Sequence, residues 1–85
     1  MRLTDKTERY SMGDREFVGR KKNYIVGIHF SAKKILQNSE YWWYSLNKKD
    51  AEFSYNSLWD GLKYKTQEEC VAAAENKVDE LVKQP

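Results

Sequence analysis

Tyr41-Trp42-Trp43-Tyr44 places four aromatic residues in succession in a chain of 85 residues that is one-third charged. Side chains alternate across a strand, so an extended run sends Trp42 and Tyr44 to one face and Tyr41 and Trp43 to the other. A small sheet with one helix covers only one of its faces. Trp42 and Tyr44 are the expected floor under that helix. Tyr41 and Trp43 then meet water, another segment of the chain, or a partner.

Working outward, Tyr41–Leu46 reads as a strand, 47–50 (Asn-Lys-Lys-Asp) as a turn, and Ala51–Tyr55 as the returning strand of a hairpin. Upstream, Tyr24–Phe30 is rich in β-branched and aromatic residues. Its alternation puts Tyr24, Val26, Ile28 and Phe30 on the core face, and Ile25, Gly27 and His29 opposite. Arg15–Val18 is a shorter extended stretch. Gly19–Asn23 supplies turn residues and three adjacent cations, so 15–30 is expected to be a hairpin with a basic turn. Residues 1–14 lack a sustained period and read as an irregular arm or a weak first element. Ser31–Asn38 has two readings: a two-turn helix capped by Ser31 that buries Ile35 and Leu36, or a long loop. Ser57–Gly61 reads as a loop, and Leu62–Lys65 as a short edge strand whose lysines discourage edge-to-edge pairing.

The last segment carries the helix signal. Thr66-Gln67-Glu68-Glu69 has the form of a capping box, and two acids in a first turn complement the helix dipole. Cys70, Ala73, Ala74, Val78, Leu81 and Val82 recur at three- and four-residue steps as one apolar stripe. Ala73 and Ala74 allow close approach to a sheet. The expected fold is α+β: three to five short antiparallel strands in one domain, with the C-terminal helix across one face.

Length and composition narrow the class. At 85 residues the chain is near the lower end of what folds without disulfides or metal. One cysteine excludes an intramolecular disulfide framework and fits a reducing compartment. No apolar run approaches the roughly 18 residues of a membrane span, and the N-terminus lacks a signal-peptide core. A cytoplasmic protein without a membrane partner is expected. Net charge is only +2, yet it is unevenly spread: residues 1–65 carry +5 and residues 66–85 carry −3. That pattern suggests a basic surface opposite an acidic helix, or simply a solvated exterior.

Signals for catalysis are sparse. His29 is the only histidine; a small ribonuclease would use it with Lys33, Lys34 or Glu40, whereas a lone histidine is more often structural. One His and one Cys make no zinc cluster, and Cys70 lies on the helix's apolar stripe, where packing is the expected role. The glycines are dispersed and form no phosphate-binding loop. No cofactor, no metal and no enzymatic activity are expected.

The stronger constellation is aromatic and basic. Tyr41 and Trp43 on an open face would stack nucleobases, while Arg20, Lys21, Lys22, Lys33, Lys34, Lys48 and Lys49 in the turns would hold phosphates without reading sequence. If residues 1–14 or 31–40 cover that face, the lysines only solubilise turns. Exposed Trp and Tyr also anchor protein interfaces, and Trp59 adds a candidate, so a protein-interaction module or homodimer is the alternative.

The layout of 41–55 (YWWYSLNKKDAEFSY) followed by 61–78 (GLKYKTQEECVAAAENKV) resembles that of small accessory proteins encoded by phages. There an aromatic strand, a returning strand and a helix started by threonine and glutamate follow one another. Usage of Lys, Asn and Tyr is similar to that of early proteins of T4-like phages, among them the toxin-inhibitory factor type. The resemblance implies a non-enzymatic counter-defence inhibitor that acts through RNA or through a host protein such as a toxin ribonuclease, in the host cytoplasm. It covers about half the chain and assigns no functional residue.

Overall fold

A computed structural model describes residues 1–7, 13–48 and 61–83. The expected returning strand Ala51–Tyr55 and the candidates Lys49 and Trp59 lie outside the described residues. Four strands, β1 (Thr4–Asp5), β2 (Arg15–Lys21), β3 (Tyr24–Ser31) and β4 (Tyr41–Lys48), precede one helix, α1 (Gln67–Lys83). The sheet is a meander in the order β1-β2-β3-β4, every neighbouring pair antiparallel. The fold is α+β, as the pattern of strands before a helix predicts.

Register fixes the two faces. Phe17, Ile28 and Tyr44 stand in line across the sheet, as do Gly19, Val26 and Leu46. These positions face α1. Val26, Ile28, Tyr44 and Leu46 are buried against Cys70, Ala74 and Val78, and Phe17, Tyr24, Trp42 and Leu81 pack around them. Burying a large apolar side chain contributes about 1.5–3 kcal/mol, so these residues carry most of the stability of so small a domain. Trp42 lies at the edge of this core, its ring centroid 4.9 Å from that of Phe30 and 6.1 Å from that of Phe17.

The helix begins where its cap predicts. Glu69 N donates to Thr66 Oγ1 at 3.1 Å, and Cys70 N donates to the Thr66 carbonyl at 3.1 Å. Cys70, Ala74 and Val78, four residues apart, form the buried row. Val82 continues that row in sequence but is 42% exposed. The reason is length. Asp79 already reaches Lys22 in the β2–β3 turn, so one turn further on the helix has passed the end of the sheet.

Local expectations change, or are decided between alternatives, at four places. The basic turn shrinks to Lys22-Asn23, with Gly19, Arg20 and Lys21 inside β2. Lys22 takes the left-handed backbone, φ 55°, that so tight a hairpin demands. Gly19 serves close approach instead of turning: a Cβ there would lie 2.8 Å from the Arg2 carbonyl oxygen and from Met1 Cγ. Residues 1–7 do not form a wholly irregular arm, because Thr4 and Asp5 pair with Val18 and Phe17. Segment 62–65 contributes a single bridge, Tyr64 to Trp42, with both N–H···O distances 2.8 Å. Finally, Ser31 ends β3 and 32–38 is a loop without a helix, so Ile35 and Leu36 are exposed, not buried.

Candidate functional site

The face turned away from α1 can be read as rows across the strands. One row holds Glu16, His29 and Trp43; the next toward the β2–β3 turn holds Val18, Gly27 and Ser45, with Thr4 beyond; the next holds Arg20, Ile25 and Asn47. At the opposite end Ser31 stands beside Tyr41. Tyr41 and Trp43 are half-buried on this face, as alternation from Trp42 and Tyr44 requires.

His29 organises its centre. Its ring stacks on Trp43 with centroids 4.0 Å apart and planes 16° from parallel. Nε2 lies 2.9 Å from Ser45 Oγ, and Nδ1 lies 3.9 Å from Glu16 Oε1. Gly27, between them in register, leaves the room: a Cβ would sit 2.7 Å from both His29 Nε2 and Ser45 Oγ. Burial holds the imidazole below its usual value of 6.5, while the Glu16 carboxylate pulls the other way. The ring is therefore neutral near pH 7. A hydroxyl, an imidazole and a carboxylate in sequence are also the parts of a nucleophilic triad. Here the carboxylate stands beyond hydrogen-bond distance, and Ser45 sits mid-strand, where backbone amides belong to the ladder instead of an oxyanion hole. The arrangement orients Trp43 through the ring stack.

Two hollows flank this centre. Asp14, Arg15, His29, Phe30, Ser31, Tyr41 and Trp43 line one of about 330 Å³, with the rings of His29, Tyr41 and Trp43 on the open face. Arg2, Lys6 and Arg20, with Thr4, Val18 and Gly19, line another of about 460 Å³ at the β1 edge. Lys63 adds a cation 4.6 Å above the Tyr41 ring. Among the described residues no three His, Cys, Asp or Glu side chains gather to hold a metal, and no helix is long and apolar enough to cross a membrane.

The basic residues singled out in the sequence divide. Arg20 is exposed on the open face beside Val18. Lys21 lies on the helix side, its Nζ 3.2 Å from Asp79 and 3.4 Å from Glu75, and Lys22 Nζ is 3.1 Å from the other Asp79 oxygen. These pairs raise Lys21 and lower Asp79, the Asp79–Lys21 bond being the largest cause for Lys21 and the Lys22 bond for Asp79. Lys48 is exposed at the end of β4, opposite Tyr24 on the helix side. Lys34 is bound to Asp14 at 2.7 Å, which holds that carboxyl below its usual range, whereas Lys33 is exposed. The structure thus brings Tyr41, Trp43 and Arg20 to one face and puts Lys21, Lys22 and Lys48 on the helix side. Arg2, Lys6 and Lys63 join the open face, although nothing singled them out in the sequence. The positions 2, 4 and 6 share a strand face, and that spacing was the available signal for the first two.

No family model, curated protein or solved structure matches this chain.

Proposed function

We propose that the chain binds single-stranded RNA across its open sheet face without catalysis, as an RNA-assisted inhibitor of the kind the phage resemblance implies. The observation that supports this reading most is the pairing of cations and rings on one surface. Arg2, Lys6 and Arg20 line a hollow at the β1 edge, and Tyr41 and Trp43 line another at β4. Three strand spacings separate the two edges, about 14 Å, a span of two to three extended nucleotides. Bases would stack at the Tyr41 and Trp43 end, beside the Lys63 ammonium, while phosphates meet the arginines and Lys6. The neutral His29 ring, stacked on Trp43, keeps the platform fixed before the ligand arrives.

The test is the anisotropy of a labelled decauridylate titrated with protein at several salt concentrations. Affinity should fall with salt, and each cation replaced (Arg2→Gln, Lys6→Gln, Arg20→Gln) should lower the log–log slope by about 0.7. Trp43→Ala, checked for folding by circular dichroism, should cost about 1–3 kcal/mol of binding. Absence of binding at low salt, or binding indifferent to Trp43 and to all three cations, overturns the reading.

A further inference from the structure

Ile35 and Leu36 are 98% and 99% exposed, the most exposed large apolar side chains described. They occupy the corner of a turn closed by Lys34 N to the Gln37 carbonyl at 3.0 Å and Gln37 N to the Lys34 carbonyl at 3.1 Å. Turn corners favour Gly, Asn, Asp, Pro and Ser, each for a backbone reason that neither Ile nor Leu supplies. The turn is also tied down. Gln37 Nε2 donates to Ser31 Oγ at 3.0 Å and to the carbonyls of Ala32 and Ser39 at 3.0 and 3.1 Å. Asp14 Oδ1 accepts from Lys34 Nζ at 2.7 Å and from Ala32 N at 3.0 Å. The result is an apolar knob on a fixed stem.

The stem and the ring-lined hollow share residues: Asp14 and Ser31 belong to both. Three polar groups of that hollow are already engaged, Asp14 with Lys34 and Ala32, Ser31 with Gln37, and Arg15 with Asp5 at 3.6 Å. Beside them it offers an occupant the rings of His29, Tyr41 and Trp43. Lys34 brings no uncompensated charge to the root of the knob, because Asp14 neutralises it.

We propose that a second copy of the chain occupies the hollow, each copy seating its Ile35-Leu36 knob between the rings of the other about a two-fold axis. Knob and hollow lie at one end of the molecule, so a single two-fold operation satisfies both at once and closes the assembly at two. A contact built from four aliphatic side chains and two hollows falls at the small end of specific interfaces, which makes a weak and reversible dimer. This inference does not rest on the RNA reading. It does share Tyr41 and Trp43 with it, so RNA and the second copy compete for one surface.

Sedimentation velocity from micromolar to near-millimolar protein tests it. The expected result is a reversible monomer–dimer equilibrium that Ile35→Ser/Leu36→Ser weakens at least tenfold. Both side chains are exposed, so the double variant should keep the wild-type circular dichroism and melting midpoint. A second readout mixes isotope-labelled protein with an unlabelled Lys33→Cys copy bearing a nitroxide, Cys70 being buried and so shielded from the label. Paramagnetic broadening of the Trp43 indole signal is expected. A wild-type monomer throughout, a dimer untouched by the double variant, open-ended association, or an unbroadened Trp43 signal in the dimer each overturn the proposal. Decauridylate binding by the monomeric double variant tests the RNA reading separately.

Discussion

The same three strands present two surfaces that differ in kind. Toward α1, Val26, Ile28, Tyr44 and Leu46 are closed off by a helix row of Cys70, Ala74 and Val78, small enough to let helix and sheet meet. On the other side, one residue along each strand, His29, Trp43 and Ser45 are half-buried and held by a stack and a hydrogen bond. The first surface is stabilised by excluded water, which is non-directional and large in sum. The second is positioned by directional contacts among a few polar and aromatic groups, which stabilise little but fix geometry. One face folds the protein, and the other is the one we propose for recognition.

Substitutions can break that contrast. Tyr44→Ala on the covered face should destabilise the domain by about 3–5 kcal/mol in chemical denaturation, enough to unfold much of so small a protein. Trp43→Ala, its neighbour in sequence, should cost clearly less; equal costs would mean that the open face is also core. Gly27→Ala probes the close approach beneath His29. Its Cβ must displace either His29 or Ser45, at about 1–3 kcal/mol, with loss of the near-ultraviolet dichroism that the stacked Trp43 contributes. Thr66→Ala removes the helix cap and should cost about 1 kcal/mol while leaving the open face and its ligand affinity unchanged.

The smallest expected effect is on pH. The folded state holds His29 below 6.5, so the unfolded chain binds its proton more readily. The contribution to stability is full above the unfolded value of 6.5 and is lost progressively as the pH falls below it. Melting curves between pH 8 and pH 5 should show a decline that His29→Phe abolishes, assigning the titration to this ring.

Much of the covered face was legible in the sequence because periodicity encodes it. Alternation in Tyr24–Phe30 and Tyr41–Tyr44, and four-residue steps from Cys70, name the core residues, and Thr66 marks the start of the helix. The open face was legible only in part. Tyr41 and Trp43 followed from alternation, but their cationic neighbours did not. Lys21 and Lys22 read as phosphate contacts, yet they lie against Glu75 and Asp79, fifty and more residues away, a pairing that depends on how far the helix runs along the sheet. Arg2 and Lys6 fall in a segment that reads as an irregular arm or a weak first element, because a two-residue strand leaves almost no pattern. Ile35 and Leu36 read equally as a buried helix face, since an apolar pair in a short segment has no period to settle its environment.

The sequence by itself determined the strands around Tyr24–Phe30 and Tyr41–Leu46, the helix after Thr66, and which side of each is apolar, because those properties repeat at the spacing of the backbone. The tertiary structure alone decided which charges pair, which cations stand beside Tyr41 and Trp43, and that an Ile-Leu knob projects beside a hollow of aromatic rings. Those depend on contacts between residues distant in the chain, and no local period records them.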